Sequence, residues 1–136
     1  MHSYLLQPAT WEASGVFVDQ TGRETPVAGE ARIVHTAQAW ILTANLGEIE
    51  NRYEIRPMKA GSLSTAWRSF NPALGELHGH FAFVDDAIIS TFFSNNGEFT
   101  GSEILLQISP TEYQNRGVLY RAGEFASSWI IDLEMS

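Results

Sequence analysis

Turn-forming residues recur at intervals of about ten residues along this chain, which is the spacing of consecutive short antiparallel strands. Each turn contains Gly, Pro, Asn or Asp, residues that supply a positive φ, a fixed φ or local side-chain hydrogen bonds. Between the turns, the residues alternate. In the segment 48–56 glutamates and arginines fill the even positions, whereas Ile49, Tyr53 and Ile55 lie at odd positions. A period of two is that of a β-strand with one face toward a core.

This pattern predicts an all-β fold of about ten strands with little helix, apart from one short turn before Trp11. The predicted strands are 12–19, 27–36, 39–46, 48–58, 62–70, 76–84, 87–94, 99–109, 112–121 and 124–134. A flat sheet of that width would expose two unpaired edges. An up-and-down antiparallel β-barrel of about 8–10 strands removes both edges. A two-sheet sandwich is the alternative, but it needs long crossovers that this chain lacks.

Composition limits the classes of function. The 136 residues are 44% hydrophobic, which suits one folded domain over residues 1–136 and excludes a disordered chain. The net charge is −8 and Lys59 is the single lysine, so a nucleic-acid partner is not expected. There is no cysteine to form a disulfide or bind zinc. Neither a membrane span nor a signal peptide is recognisable, and we expect a cytoplasmic protein with no membrane partner.

The chain resembles the calycin-type barrels: lipocalins, fatty-acid-binding proteins and nitrobindin-like proteins. The resemblance rests on Trp11 and Gly15 in the first strand, the segment 29–35 in the second, and the closing strand 129–135. It implies a barrel with an internal cavity. The lipocalin Gly-x-Trp signature is absent, because Ala9 and Thr10 precede Trp11. The late histidine that binds haem in nitrobindin-like proteins is also absent, since no histidine follows His80, and no cofactor is implied.

Glu76, His78 and His80 form the sharpest local motif. Alternate strand residues project from one face, so these three side chains could converge on one metal ion. Two histidines and a carboxylate are a known set of ligands for zinc or non-haem iron. However, Leu77 and Phe81 belong to the opposite, apolar face. The motif is therefore expected outside the barrel, and no metal site is assigned to it.

His35 follows Ala31 and Ile33 on the expected inner face of the second strand. An imidazole in a cavity could act as a general base near neutral pH. A lone histidine at such a position is more often neutral, hydrogen-bonded and structural, and no catalytic partner can be placed beside it.

Arginine is the other compositional signal, because seven Arg accompany one Lys. Arg68, Arg116 and Arg121 lie among aromatic and apolar residues. One of them could project into the barrel and bind a ligand carboxylate, as the resemblance to fatty-acid-binding proteins implies. The alternative is stacking on an aromatic ring at the surface. The predicted ligand-binding residues are His35, Tyr53, Arg68 and Tyr120.

Two strands, 87–94 and 104–108, are apolar on both faces. A strand of that kind has a partner covering its outer side. We therefore expect a homodimer or a higher homo-oligomer.

Three functions remain open. The first is the binding of a small apolar or amphipathic ligand inside the barrel. The second is an enzyme, such as an isomerase, cyclase or hydrolase, that uses His35 as base or Glu76, His78 and His80 as a metal site. The third is a barrel filled by its own aromatic side chains that acts only through its oligomeric surface. The choice depends on whether the tryptophans and phenylalanines fill the barrel or line a cavity.

Overall fold

Ten antiparallel strands, joined by short turns, make up nearly all of the computed structural model, which describes residues 1–136. No helix is present, and residues 4–7, before the first strand, form turns. No segment therefore forms an apolar helix of membrane-crossing length. The strands are β1 (Ala9–Asp19), β2 (Glu24–His35), β3 (Trp40–Leu46), β4 (Ile49–Ile55), β5 (Ser64–Asn71), β6 (Gly75–Val84), β7 (Ala87–Ser94), β8 (Phe99–Ser109), β9 (Glu112–Arg121) and β10 (Glu124–Met135).

The strands close into a barrel. Each strand pairs with the next one along the chain, and β1 pairs with β10, with Trp11 opposite Met135. Closure leaves no strand edge without a partner. The predicted up-and-down barrel is confirmed, and a two-sheet sandwich is excluded.

The turns lie at the turn-forming residues from which they were predicted. β9 and β10 are joined by Ala122 and Gly123, both with positive φ (51° and 81°), as a two-residue type I′ hairpin requires. β6 and β7 are joined by Asp85 and Asp86, which confirms the turn expected at this pair. Predicted and observed strand ends differ by at most three residues: β1 and β2 each begin three residues earlier than predicted, and β4 ends at Ile55 rather than at residue 58. Pro57 has no N–H to continue the ladder.

The alternation of inner and outer residues also agrees with the sequence. Leu77 and Phe81 on β6 are buried at 5% and 1% exposure, whereas His80 between them on the chain is exposed. On β7, Ile88 is fully buried, while Ile89 and Phe93 face outward at 38% and 52% exposure. β7 therefore does carry apolar side chains on both faces.

One end of the barrel is closed by the residues before β1. Tyr4 and Leu5 are buried there at 4% and 1% exposure and join the core with Trp11 and Tyr113. The Tyr113 hydroxyl accepts a hydrogen bond from the Ser3 backbone N–H at 3.1 Å and lies 2.6 Å from Nδ1 of His2. The N-terminal segment is thus held across this end of the barrel.

Candidate functional site

The barrel is hollow. Its interior contains a cavity of about 610 Å³ lined by 25 residues, of which 17 are hydrophobic. This volume lies within the range of small-molecule sites, about 300–1,000 Å³. Turn residues of two hairpins, among them Glu48 and Ala73, contribute to the lining, so the cavity reaches the end of the barrel opposite the N-terminal segment.

Three pairs of glycine and aromatic residues keep the interior open. Directly across neighbouring strands, Trp67 faces Gly79, Phe92 faces Gly101, and Trp129 faces Gly117. A Cβ at any of these glycines would overlap the facing ring. Each ring therefore lies over a glycine along the wall instead of projecting to the barrel axis. The aromatic residues line the cavity, and the filled barrel is excluded.

A polar group lies on this mostly apolar wall. The Asn115 side chain donates a hydrogen bond to Oε2 of Glu103 at 3.2 Å, and the indole N–H of Trp129 donates to Oδ1 of Asn115 at 3.2 Å. Glu103 is enclosed by the barrel, and the accessible surface it keeps faces the cavity. Burial raises the pKa of the Glu103 carboxyl, and the neighbouring N–H groups of Asn115 and Trp129 oppose that rise.

Two tyrosine hydroxyls share the interior with this carboxyl. Burial raises the pKa of both Tyr53 and Tyr4, and the negative charge of Glu103 raises each further. Both side chains line the cavity. They remain neutral hydroxyl donors across the physiological pH range.

Glu103 was not among the predicted site residues. The apolar residues of β8 pointed instead to a candidate interface on this strand. The inward orientation of Glu103 could have been predicted from Leu105, because residues two places apart on a strand share the same face. Leu105 is 2% exposed and belongs to the core.

Of the predicted ligand-binding residues, Tyr53 alone lines the cavity. Nε2 of His35 lies 2.8 Å from the carbonyl oxygen of Leu5, and its ring stacks on Trp40 at 4.0 Å. His35 thus helps to hold the N-terminal segment at the closed end. His35 does not line the cavity, so it is not placed to act as a general base on a ligand bound there.

Arg68 and Tyr120 lie on the outer face of the barrel. The Arg68 guanidinium is 2.9 Å from the Glu54 carboxylate, and its side chain is 64% exposed. Arg116 and Arg121 are exposed as well. Tyr120 is 39% exposed, and its neighbour Leu119 lines the cavity instead. This corrects the expectation that an arginine or Tyr120 serves the interior: strand alternation turns these side chains outward.

The Glu76, His78 and His80 motif is also on the outside. Nε2 of His78 lies 3.5 Å from Oε1 of Glu76 and 2.7 Å from Oδ1 of Asn95. His80 does not join them, and no three His, Cys, Asp or Glu side chains are grouped so as to hold a metal ion. The motif is a surface hydrogen-bond network.

Comparison with known proteins defines the fold. No protein-family model and no curated protein sequence matches the chain. Among solved structures, the barrel is similar to the S-type phycobiliprotein lyase CPES from Guillardia theta, with a TM-score of 0.68 and 9% sequence identity. The match covers 94% of this chain and 87% of that one. The chain has a calycin-like barrel fold. At this identity the similarity concerns the fold alone.

Proposed function

We propose that this calycin-like barrel binds a small apolar or amphipathic molecule in its interior. The cavity of about 610 Å³ is the observation that carries the proposal. Its wall is mainly aliphatic and aromatic, with few polar groups to orient a ligand, which is the usual make-up of a small-molecule site. A role in ligand handling also suits a barrel whose structural neighbour is named a phycobiliprotein lyase.

The test uses two adjacent serines on β10 that face opposite ways. Ser127 lines the cavity, whereas Ser128 faces outward. A Ser127→Phe variant places a ring in the cavity, and we expect it to weaken the binding of the neutral dye Nile red at least about tenfold, or about 1.4 kcal/mol. The matched Ser128→Phe variant should bind as the wild type does. Fluorescence titration measures both.

Equal affinity of both variants, or no dye binding by the wild-type protein, would contradict binding inside the barrel. Native mass spectrometry of protein purified without added ligand gives an independent result. A mass lost on denaturation would identify the class of the bound molecule.

We further propose that the outer face of β7, β8 and β10 joins two copies of the chain. Ile89, Ile104 and Ile130 lie in one row across these strands, separated only by Arg116, and Phe93 adds to the exposed apolar surface. Exposed contiguous apolar patches commonly mark interaction sites.

An Ile89→Glu variant should therefore shift the protein from dimer to monomer in size-exclusion chromatography with light scattering. Val34→Glu is the control, because Val34 is 43% exposed on β2, away from this row. A monomeric wild-type protein, or an Ile89→Glu variant that stays dimeric, would exclude this interface.

A further inference from the structure

The charged residues around the cavity all have the same sign. Glu48, Glu50 and Glu103 belong to the lining, and no Lys, Arg or His does. All seven arginines and Lys59 are outside this set. A ligand carboxylate would therefore meet negative charge and no cation, and charges are weakly screened around Glu103 inside the barrel.

Glu103 is the member of this set that lies inside the barrel wall. Opposite it on β9 is Gly117, and opposite it on β7 is Ser90, whose hydroxyl accepts a hydrogen bond from the Trp67 indole at 3.0 Å. The Trp129 indole covers Gly117, and the Glu103 carboxyl lines the cavity beside it. It forms no ion pair with any basic residue, and Asn115 engages only Oε2.

The rings beside Glu103 favour the same kind of ligand as its charge does. Trp67, Trp129, Phe92 and Tyr53 all line the cavity. The faces of aromatic rings attract cations, and the attraction strengthens where water is excluded. A protonated nitrogen at Glu103 would thus meet a carboxylate and aromatic rings together.

The geometry points to Glu103 as the anchor for the basic nitrogen of an amphipathic ligand: an apolar molecule that carries a protonated amine or amidine group. This inference rests on the proposed interior binding site and names its ligand class. The ligand's apolar part would lie against the aliphatic wall formed by residues such as Leu42, Leu77 and Leu105. Its N–H groups would donate to Oε1 of Glu103, the oxygen that Asn115 does not engage.

Three probes of equal chain length separate charge from hydrophobicity: decylamine, decanol and decanoate. Binding is followed by tryptophan emission, because Trp67 and Trp129 line the cavity, and by calorimetry. At neutral pH the wild-type protein should bind decylamine about tenfold or more tightly than decanol, since hydrogen bonds to charged groups contribute about 1.5–3 kcal/mol. Decanoate should bind most weakly.

Two variants locate the preference. Glu103→Gln keeps the size of the side chain and should remove the preference for decylamine over decanol. Glu124→Gln, exposed and outside the cavity lining, should keep it. Loss of the preference in Glu124→Gln, an unchanged preference in Glu103→Gln, or tightest binding of decanoate would each overturn the assignment of Glu103.

If Glu103→Gln does not fold, a pH titration of the wild-type protein tests the role of Glu103 instead. Decylamine affinity should fall as pH is lowered and Glu103 takes up a proton, a fall that begins above the usual carboxyl range because burial raises the pKa of Glu103, whereas decanol affinity should not change. Asn115, Trp129, Tyr53 and Tyr4 lie around Glu103 and do not titrate at acid pH. The carboxyl groups of Glu48 and Glu50 lie at the end of the cavity, so the same titration of Glu50→Gln separates their effect from that of Glu103. Decylamine affinity that does not vary with pH would overturn the inference. Failure to bind decanol or Nile red would instead count against the proposed function itself.

Discussion

The carboxyl group of Glu103 links the stability of the barrel to pH. Because its pKa is raised by burial in the folded state, the folded protein keeps this proton to higher pH than the unfolded chain does. The contribution of Glu103 to stability is therefore complete below the ordinary carboxyl pKa and decreases as pH rises to the raised value. Asp19 and Glu54 act in the opposite direction, since the hydrogen bonds that they accept from Thr21 and Arg52, respectively, lower their pKa values.

A Glu103→Gln variant isolates this effect, because Asp19 and Glu54 are unchanged in it. We expect Glu103→Gln to gain stability relative to the wild-type protein as pH rises from about 4 to about 8. Each unit of pKa difference between the folded and unfolded states corresponds to about 1.4 kcal/mol. Urea denaturation across this pH range measures the difference, with the exposed Glu124→Gln as control. A difference that does not vary with pH would show that Glu103 is not perturbed by burial.

Strand elements were predictable from the sequence because each carries its own signals. Turn residues mark the ends of β7 and β8, and the alternation along β4 identifies Tyr53 as an inner residue. The hollow interior was not predictable in the same way. It depends on which residue lies across from Trp129 or Trp67, and that is fixed by the register between strands. Glu103 was missed because the apolar residues around it on β8 hid the alternation.

The pairing of Trp129 with Gly117 gives a prediction at the level of two adjacent strands. A Gly117→Ala variant would force the indole off the wall and break its hydrogen bond to Asn115. We expect a loss of about 1–3 kcal/mol of stability, the usual cost of overpacking. In a Trp129→Leu background the same change should cost much less, because the overlapping ring is gone. Urea denaturation of the four proteins gives the coupling energy, and simple additivity would contradict the pairing.

At the scale of the whole molecule, no strand of the barrel lies at an edge. Every strand lies between its neighbours along the chain, and β1 and β10 complete the ring side by side. Residues 1–8 occupy the end of the barrel where β10 finishes and β1 begins, and the backbone N–H of Ser136 donates to the carbonyl oxygen of Thr10 at 3.0 Å. A circular permutant opened at the β7–β8 turn near Gly97 would therefore retain all ten strand pairings. In such a chain residues 1–8 would form a loop between β10 and β1. The cavity should be retained, because the closed ring of strands forms it wherever the chain starts.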